Sequence, residues 1–126
     1  MRVLLDTHVF LWALTDSDKL SAVARKTIST SELFWSAASV WETLIKVQAG
    51  KLPLPSPVGD YLTSRMLANG VSVLPISLQH VLRIERLEMH HRDPFDRILI
   101  AQSIEEKMPL VTADPTLERY PVEMIW

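Results

Sequence analysis

Short apolar runs alternate along this chain with longer segments of helical pattern, and that alternation constrains its fold more than any other feature. Val3-Leu4-Leu5 contains no polar residue, so it fits a strand buried on both faces rather than one half exposed to water. By the same reading Arg2 to Leu5, Leu33 to Ser36, Val71 to Ile76, Leu110 to Thr112 and a weaker Val122 to Ile125 are strands. Helical segments fill the intervals. Thr7 to Leu14 turns into a short helix, and Thr15 to Lys19 is turn-like. Ser21 caps a helix running to about Thr30. Ser39 opens one with Val40, Leu44 and Val47 on one side, ending at Gly50. After the breaks at Pro53, Pro55 and Pro57, Ser56-Pro57 starts a helix that stops near Gly70. Ser77 caps the next, to about Leu87, and Asp93-Pro94 opens the last, to about Lys107. Strands alternating with helices imply right-handed crossovers. The expected fold class is therefore α/β: a three-layer α/β/α sandwich around a mostly parallel sheet of about five strands.

No repeat, low-complexity tract or long linker divides the 126 residues, so a single domain over 1–126 is expected. With 48% hydrophobic and 22% charged residues the chain can bury a substantial core. It has no cysteine, which excludes disulfides, thiolate catalysis and zinc–thiolate sites. The apolar start is interrupted by Asp6 and His8, and no run approaches the ~20 apolar residues of a membrane span, so a cytoplasmic protein is expected. A formal net charge of −2 argues mildly against a broad basic surface for nucleic acid. It does not argue against a nuclease, because a bound divalent cation reverses the local sign.

Ligands of open parallel sheets bind beyond the carboxyl ends of the strands. Asp6 directly follows the first strand, and Asp114 follows the fourth after Thr112-Ala113. Glu42 is expected in the first turn of the helix after the second strand, and Asp96 in the first turn of the helix feeding the fourth. All four carboxylates then gather at one sheet edge, where they either raise one another's pKa or hold cations. Oxygen donors without thiolate suit hard ions, Mg²⁺ or Mn²⁺. Such an ion activates water and neutralises a leaving oxygen, the chemistry of phosphodiester hydrolysis. Asp6 and Asp96 are assigned as main metal ligands. Glu42 and Asp114 complete the site through water or hold a second ion. Thr7 and Thr112 are candidates to fix carboxylates or waters by hydrogen bonds.

Each acid also has a purely structural reading. Ser39 with Glu42 has the spacing of a capping box. Asp93 is a good N-cap, Pro94 a good first helical residue, and Asp96 sits well near the positive end of the helix dipole. Asp114-Pro115 is a further capping pair. Asp6 is hardest to dismiss, having no cap to make if its helix begins beyond Thr7. His80, Arg83, Arg86, His90, His91, Arg92 and Arg97 form a locally basic stretch. It reads either as phosphate-positioning or, residue by residue, as a solvated face. Trp12, Trp35 and Trp41 read as core or interface, with Trp126 against the last strand.

Leu4-Leu5-Asp6-Thr7-His8, Ser36-Ala37-Ala38-Ser39-Val40-Trp41-Glu42, His91-Arg92-Asp93-Pro94-Phe95-Asp96-Arg97 continuing to Gln102, and Leu110-Val111-Thr112-Ala113-Asp114 together resemble PIN domains. The combination looks most like the VapC-type toxins of toxin–antitoxin pairs. The resemblance spans nearly the whole chain in order, and its most specific part is Asp93 to Gln102. It implies an RNA substrate, magnesium or manganese as cofactor, a homodimer, and neutralisation by a cognate antitoxin whose tail lies across the active site. It also makes Asp6, Glu42, Asp96 and Asp114 the family's acidic positions, with Asp93 an additional acid of open role. Two alternatives keep the fold: a non-catalytic binding module, and a metal-dependent DNase.

Overall fold

The computed structural model describes residues 1–126. Its centre is a five-stranded sheet: β1 (Arg2–Leu5), β2 (Glu32–Ser36), β3 (Val71–Leu74), β4 (Leu110–Val111) and β5 (Met124–Ile125). The strand order is β3-β2-β1-β4-β5, and every neighbouring pair is parallel. Helices α1 (Thr7–Leu14), α2 (Ala22–Thr30), α3 (Ala37–Gln48), α4 (Val58–Ala68), α5 (Leu78–Glu85) and α6 (Pro94–Glu106) fill the crossovers, with a 3₁₀ turn at Pro115–Arg119. This is the expected α/β architecture, with strands a residue or two shorter than read at β3 and β5.

Alternation along β1 divides the core between the two faces of the sheet. Val3 and Leu5 join one cluster with Phe10, Ala24, Trp35, Leu62 and Met66, supplied by α1, α2, β2 and α4. Leu4, between them, joins another with Leu99, Ile100, Leu110 and Leu117 under α6. Val3 to Leu5 of β1 are thus buried on both sides, as their wholly apolar sequence demands. The chain winds outward from β1 in one direction through β2 and β3, then crosses back to β4 on the other side. That reversal leaves a crevice between the ends of β1 and β4, where ligands of such sheets bind.

Caps set the helix starts. Ser21 accepts from the Ala24 N–H at 3.0 Å and Ser77 from His80 at 3.3 Å, both as expected. α3 departs from the expectation. Its cap is Ser36, which accepts from the Ala38 N–H at 3.0 Å, so the helix starts three residues earlier than a cap at Ser39 would place it. Ser39 lies inside the first turn, and its hydroxyl accepts from the Thr7 hydroxyl at 2.8 Å, tying α3 to α1. α4 likewise begins after Pro57 with no side-chain cap from Ser56. Gly50 and Gly70 end α3 and α4 with φ of +73° and +65°, a conformation glycine adopts without strain.

The basic stretch does not behave as one surface. Arg97 is buried. Its guanidinium donates to the Glu88 carbonyl at 3.0 Å, the Ile84 carbonyl at 3.3 Å, the Leu87 carbonyl at 3.5 Å and the Tyr120 hydroxyl at 3.2 Å. A side chain of α6 thereby caps the carboxyl end of α5, where a cation also complements the helix dipole. Replacing it by methionine keeps the aliphatic volume and strands those carbonyls. We expect Arg97→Met to cost about 2–4 kcal/mol of stability, a melting temperature lower by roughly 10 °C in a thermal scan.

Candidate active site

A cleft of about 330 Å³ opens at the carboxyl ends of β1 and β4. Asp6, Glu42, Asp93, Asp96 and Asp114 line it, together with His8, Trp12, Lys46 and Ala113. Each acid arrives from a different place. Asp6 is the first residue after β1, and its own N–H donates to the Val111 carbonyl of β4 at 2.9 Å, which pins it at the crevice. It is the N-cap of α1, because that helix starts at Thr7 rather than beyond it. Its Oδ1 accepts from the Thr7 N–H and its Oδ2 from the Thr112 hydroxyl, both at 2.7 Å. The same Thr112 oxygen accepts from the Asp114 N–H at 3.1 Å, so one buried hydroxyl joins the two acids of the crevice. Thr112 therefore fixes a carboxylate as expected. Thr7 does so through its backbone N–H only, its hydroxyl being committed to Ser39.

Asp93 and Asp114 make the caps their sequences suggest. Asp93 Oδ1 accepts from the N–H groups of Phe95 at 2.8 Å and Asp96 at 3.1 Å. Asp114 Oδ1 accepts from the N–H and the hydroxyl of Thr116, at 2.9 and 2.8 Å. Glu42 does not form the capping box, because Ser39 is no cap. It lies in the second turn of α3, not the first, and pairs with Lys46 one turn further on at 3.0 Å. Asp96 sits in the first turn of α6, and its Oδ2 lies 3.3 Å from His91 Nε2.

That histidine is itself held. Tyr120 Oη accepts from Arg97 at 3.2 Å and lies 2.8 Å from His91 Nδ1. The guanidinium has only protons to give, so Tyr120 Oη is an acceptor there and keeps its own proton and second lone pair for His91, whose other ring nitrogen faces Asp96. A chain of hydrogen bonds therefore runs from the buried end of α5 to the carboxylate of α6.

Electrostatically the cleft is strained. Burial, then the negative charges of Asp93, Asp6, Asp114 and Glu42, push the Asp96 carboxyl up to about 7. Asp6 is also raised, chiefly by burial, although the bonds from Thr112 and Thr7 and the nearby His8 work against the shift. The oxygen-rich donor set and the mutual repulsion both suit a hard divalent cation. No three of the acids converge as a ready-made set of metal ligands, so the carboxylates must close in on any ion they hold.

Sequence reasoning missed His8 and Lys46, and placed Trp12 in the core or an interface rather than at the cleft wall. Lys46 had a signal. It stands one helical turn after Glu42, hence on the same face of α3. It also lies 3.2 Å from His8 Nε2. His80, Arg83 and Arg86 were grouped with the site but lie apart from it: His80 is buried against Glu106, while Arg83 and Arg86 pair with Glu105. Trp35 is core, whereas Trp41 is 59% exposed with its ring against Phe95, and Trp126 packs edge-on to Trp12.

The model of the PIN domain matches residues 3–123, nearly the whole chain and all of these acids. The chain belongs to the PIN-domain family. Over 50 residues it is 42% identical to ribonuclease VapC16 of Mycobacterium tuberculosis, a stretch covering 40% of this chain and 34% of that protein. The match thus spans about a third of the length of that curated relative. Among solved structures, this PIN fold superposes on a chain of VapBC2 from Rickettsia felis, bound to a DNA fragment from its promoter. The TM-score is 0.71 at 14% identity, over 98% of this chain and 97% of the other. FitAcB from Neisseria gonorrhoeae gives a TM-score of 0.67 at 17% identity, over 98% and 96% of the two chains. A toxin–antitoxin complex from Klebsiella pneumoniae gives 0.63 at 14%, over 94% and 92%. These likenesses establish the PIN fold of the chain.

Proposed function

We propose that this PIN domain is a toxin ribonuclease that hydrolyses RNA phosphodiester bonds with Mg²⁺ or Mn²⁺, and that a cognate antitoxin restrains it. The observation that carries the reading is the gathering of Asp6, Glu42, Asp96 and Asp114, from four separate elements, around one cleft at the sheet's switch point. The ribonuclease name of the curated relative and the toxin–antitoxin complexes among the structural neighbours support the same choice of substrate and partner. A cytoplasmic homodimer is part of the proposal.

Asp6 and Asp96 are assigned to hold the cation, with Glu42 and Asp114 completing its surroundings and Asp93 shaping the start of α6. A bound Mg²⁺ or Mn²⁺ supplies Lewis-acid polarisation of the phosphodiester and makes water a better nucleophile. The residues do the rest. Thr112 and the Thr7 N–H hold Asp6 in one rotamer, so its carboxylate is aimed before substrate arrives. Lys46 offsets part of the negative charge at the mouth of the cleft, where a polyanion must enter. The products are one phosphomonoester and one alcohol for each water consumed.

Purified protein, stripped of antitoxin and assayed on single-stranded RNA and matched DNA, tests the reading. Cleavage is expected to vanish in EDTA and to return with Mg²⁺ or Mn²⁺ but not with zinc, and to favour RNA. Expression alone is expected to arrest growth, and co-expression of the antitoxin to relieve it. Undiminished cutting in EDTA by protein free of metal would overturn the assignment.

A further inference from the structure

His8, Trp12 and Lys46 form a wall with two sides. One side faces the acidic cleft, and the other faces a groove of about 460 Å³ that is mainly apolar. Leu11, Leu52, Leu54 and Tyr61 line that groove, and Lys51 stands at its edge. Lys19 lies close by, its ammonium 5.5 Å from the centre of the Trp12 ring. Neither Lys19 nor Lys51 has an acidic partner within salt-bridge distance. Free positive charge therefore collects around an apolar hollow that shares a wall with a cluster of carboxylates, in a chain whose net charge is −2.

The juxtaposition answers a problem posed by the acidic cleft. A polyanion is repelled by the carboxylates that must act on it. Lysines beside the cleft hold the flanking phosphates, and an apolar hollow with aromatic walls accepts a base that has left its stack. A duplex keeps its bases inside, so this arrangement suits an unpaired strand. Lys46, common to both sides and 3.0 Å from Glu42, is placed for the phosphate between scissile bond and base.

Resting on the ribonuclease reading, we propose that the groove is the subsite for one unpaired nucleobase next to the scissile phosphodiester, with Lys46 and Lys51 on the adjoining phosphates. The test is binding of a fluorescent ten-nucleotide single-stranded RNA by anisotropy. It uses Mg²⁺ and an Asp96→Asn background, so that cleavage does not consume the probe. Lys51→Glu alters an exposed side chain outside the acidic cleft and is expected to weaken binding about tenfold. Tyr61→Ala is expected to weaken it roughly tenfold to a hundredfold. Moving a single abasic nucleotide along the probe should reveal one position whose loss equals the effect of Tyr61→Ala. Should Tyr61→Ala unfold, Lys51→Glu and the abasic series decide the matter alone.

Equal affinity for the RNA and its duplex, or unchanged RNA affinity in Lys51→Glu together with a flat abasic series, overturns the subsite. So does loss of antitoxin binding without loss of RNA binding, which would make the groove a protein-docking site. Failure of the ribonuclease reading shows separately, as absence of metal-dependent cleavage by the unsubstituted protein. RNA affinity that still follows Lys51 and the abasic position in that case supports the groove as a single-strand binding site.

Discussion

Asp96→Asn is expected to slow RNA cleavage by roughly a hundredfold to a thousandfold, while Asp93→Asn keeps most of the activity. The two carboxylates are one helical turn apart, yet their surroundings give them different work. Asp93 Oδ1 accepts two backbone N–H groups at the start of α6. Asparagine presents the same oxygen and is an equally good N-cap. Asp96 makes no cap. Its carboxylate faces the cleft, steadied by His91 at 3.3 Å. The neutral amide keeps its size and removes a full negative charge from the proposed cation site. A lost transition-state interaction of ~3–4 kcal/mol corresponds to the stated slowing. Single-turnover rates and calorimetric Mn²⁺ affinity for both variants decide the matter. Equal loss in the two would bring Asp93 into the reacting group, and full activity in Asp96→Asn would remove Asp96 from it.

The same substitution is expected to stabilise the metal-free protein, and by an amount that grows with pH. In the unfolded chain Asp96 titrates near 3.8, and in the folded one at about 7. Between those values the folded state binds the extra proton, so stability falls as pH rises through the window and then levels off. Asparagine does not titrate, so its advantage is small below pH 4 and complete above pH 7. A rise from 3.8 to about 7 converts to about 4 kcal/mol. With the Asp96 side chain 22% exposed, an advantage of roughly 2–4 kcal/mol is the better expectation. Denaturant melts of both proteins in EDTA, from pH 4 to pH 8, measure it. A constant difference across that range would show that the cleft does not destabilise the Asp96 carboxylate. Adding Mg²⁺ or Mn²⁺ at pH 8 should stabilise the wild type more than the variant, since the ion binds only where the charge remains.

Much of this was legible along the chain, and the failures have physical causes. The wholly apolar Val3-Leu4-Leu5 announced a doubly buried strand, and the caps at Ser21, Ser77 and Asp93 announced three helix starts. Ser36-Ala37-Ala38-Ser39 offers two serines one helical turn apart, and local pattern cannot choose between them. The choice is tertiary: Ser36 is still paired with Leu74 across the sheet as the last residue of β2, and passes into α3 without a loop. Moving the helix start by three residues carried Glu42 into the second turn and dissolved its capping box. The basic stretch misled for a related reason. Residues close in sequence on α5 and α6 face each other and the core, so His80 and Arg97 are buried. His8 and Lys46, far apart in sequence, meet at the cleft because α1 packs against α3, a contact tied by the Thr7–Ser39 bond.

β1 is the first of the sheet's five strands in chain order and lies at its middle, and its neighbour β4 is the fourth. The bond from Thr112 to Asp6 closes a separation of 106 residues. A chain still emerging from the ribosome can pair β1 with β2 and β3 in the order of synthesis. It cannot build the acidic crevice until Leu110 to Asp114 have arrived. Translation itself thus imposes a delay: a polypeptide interrupted between Leu74 and Leu110 carries three strands of the sheet but no acidic cleft, and on the reading proposed above such a fragment is harmless to RNA.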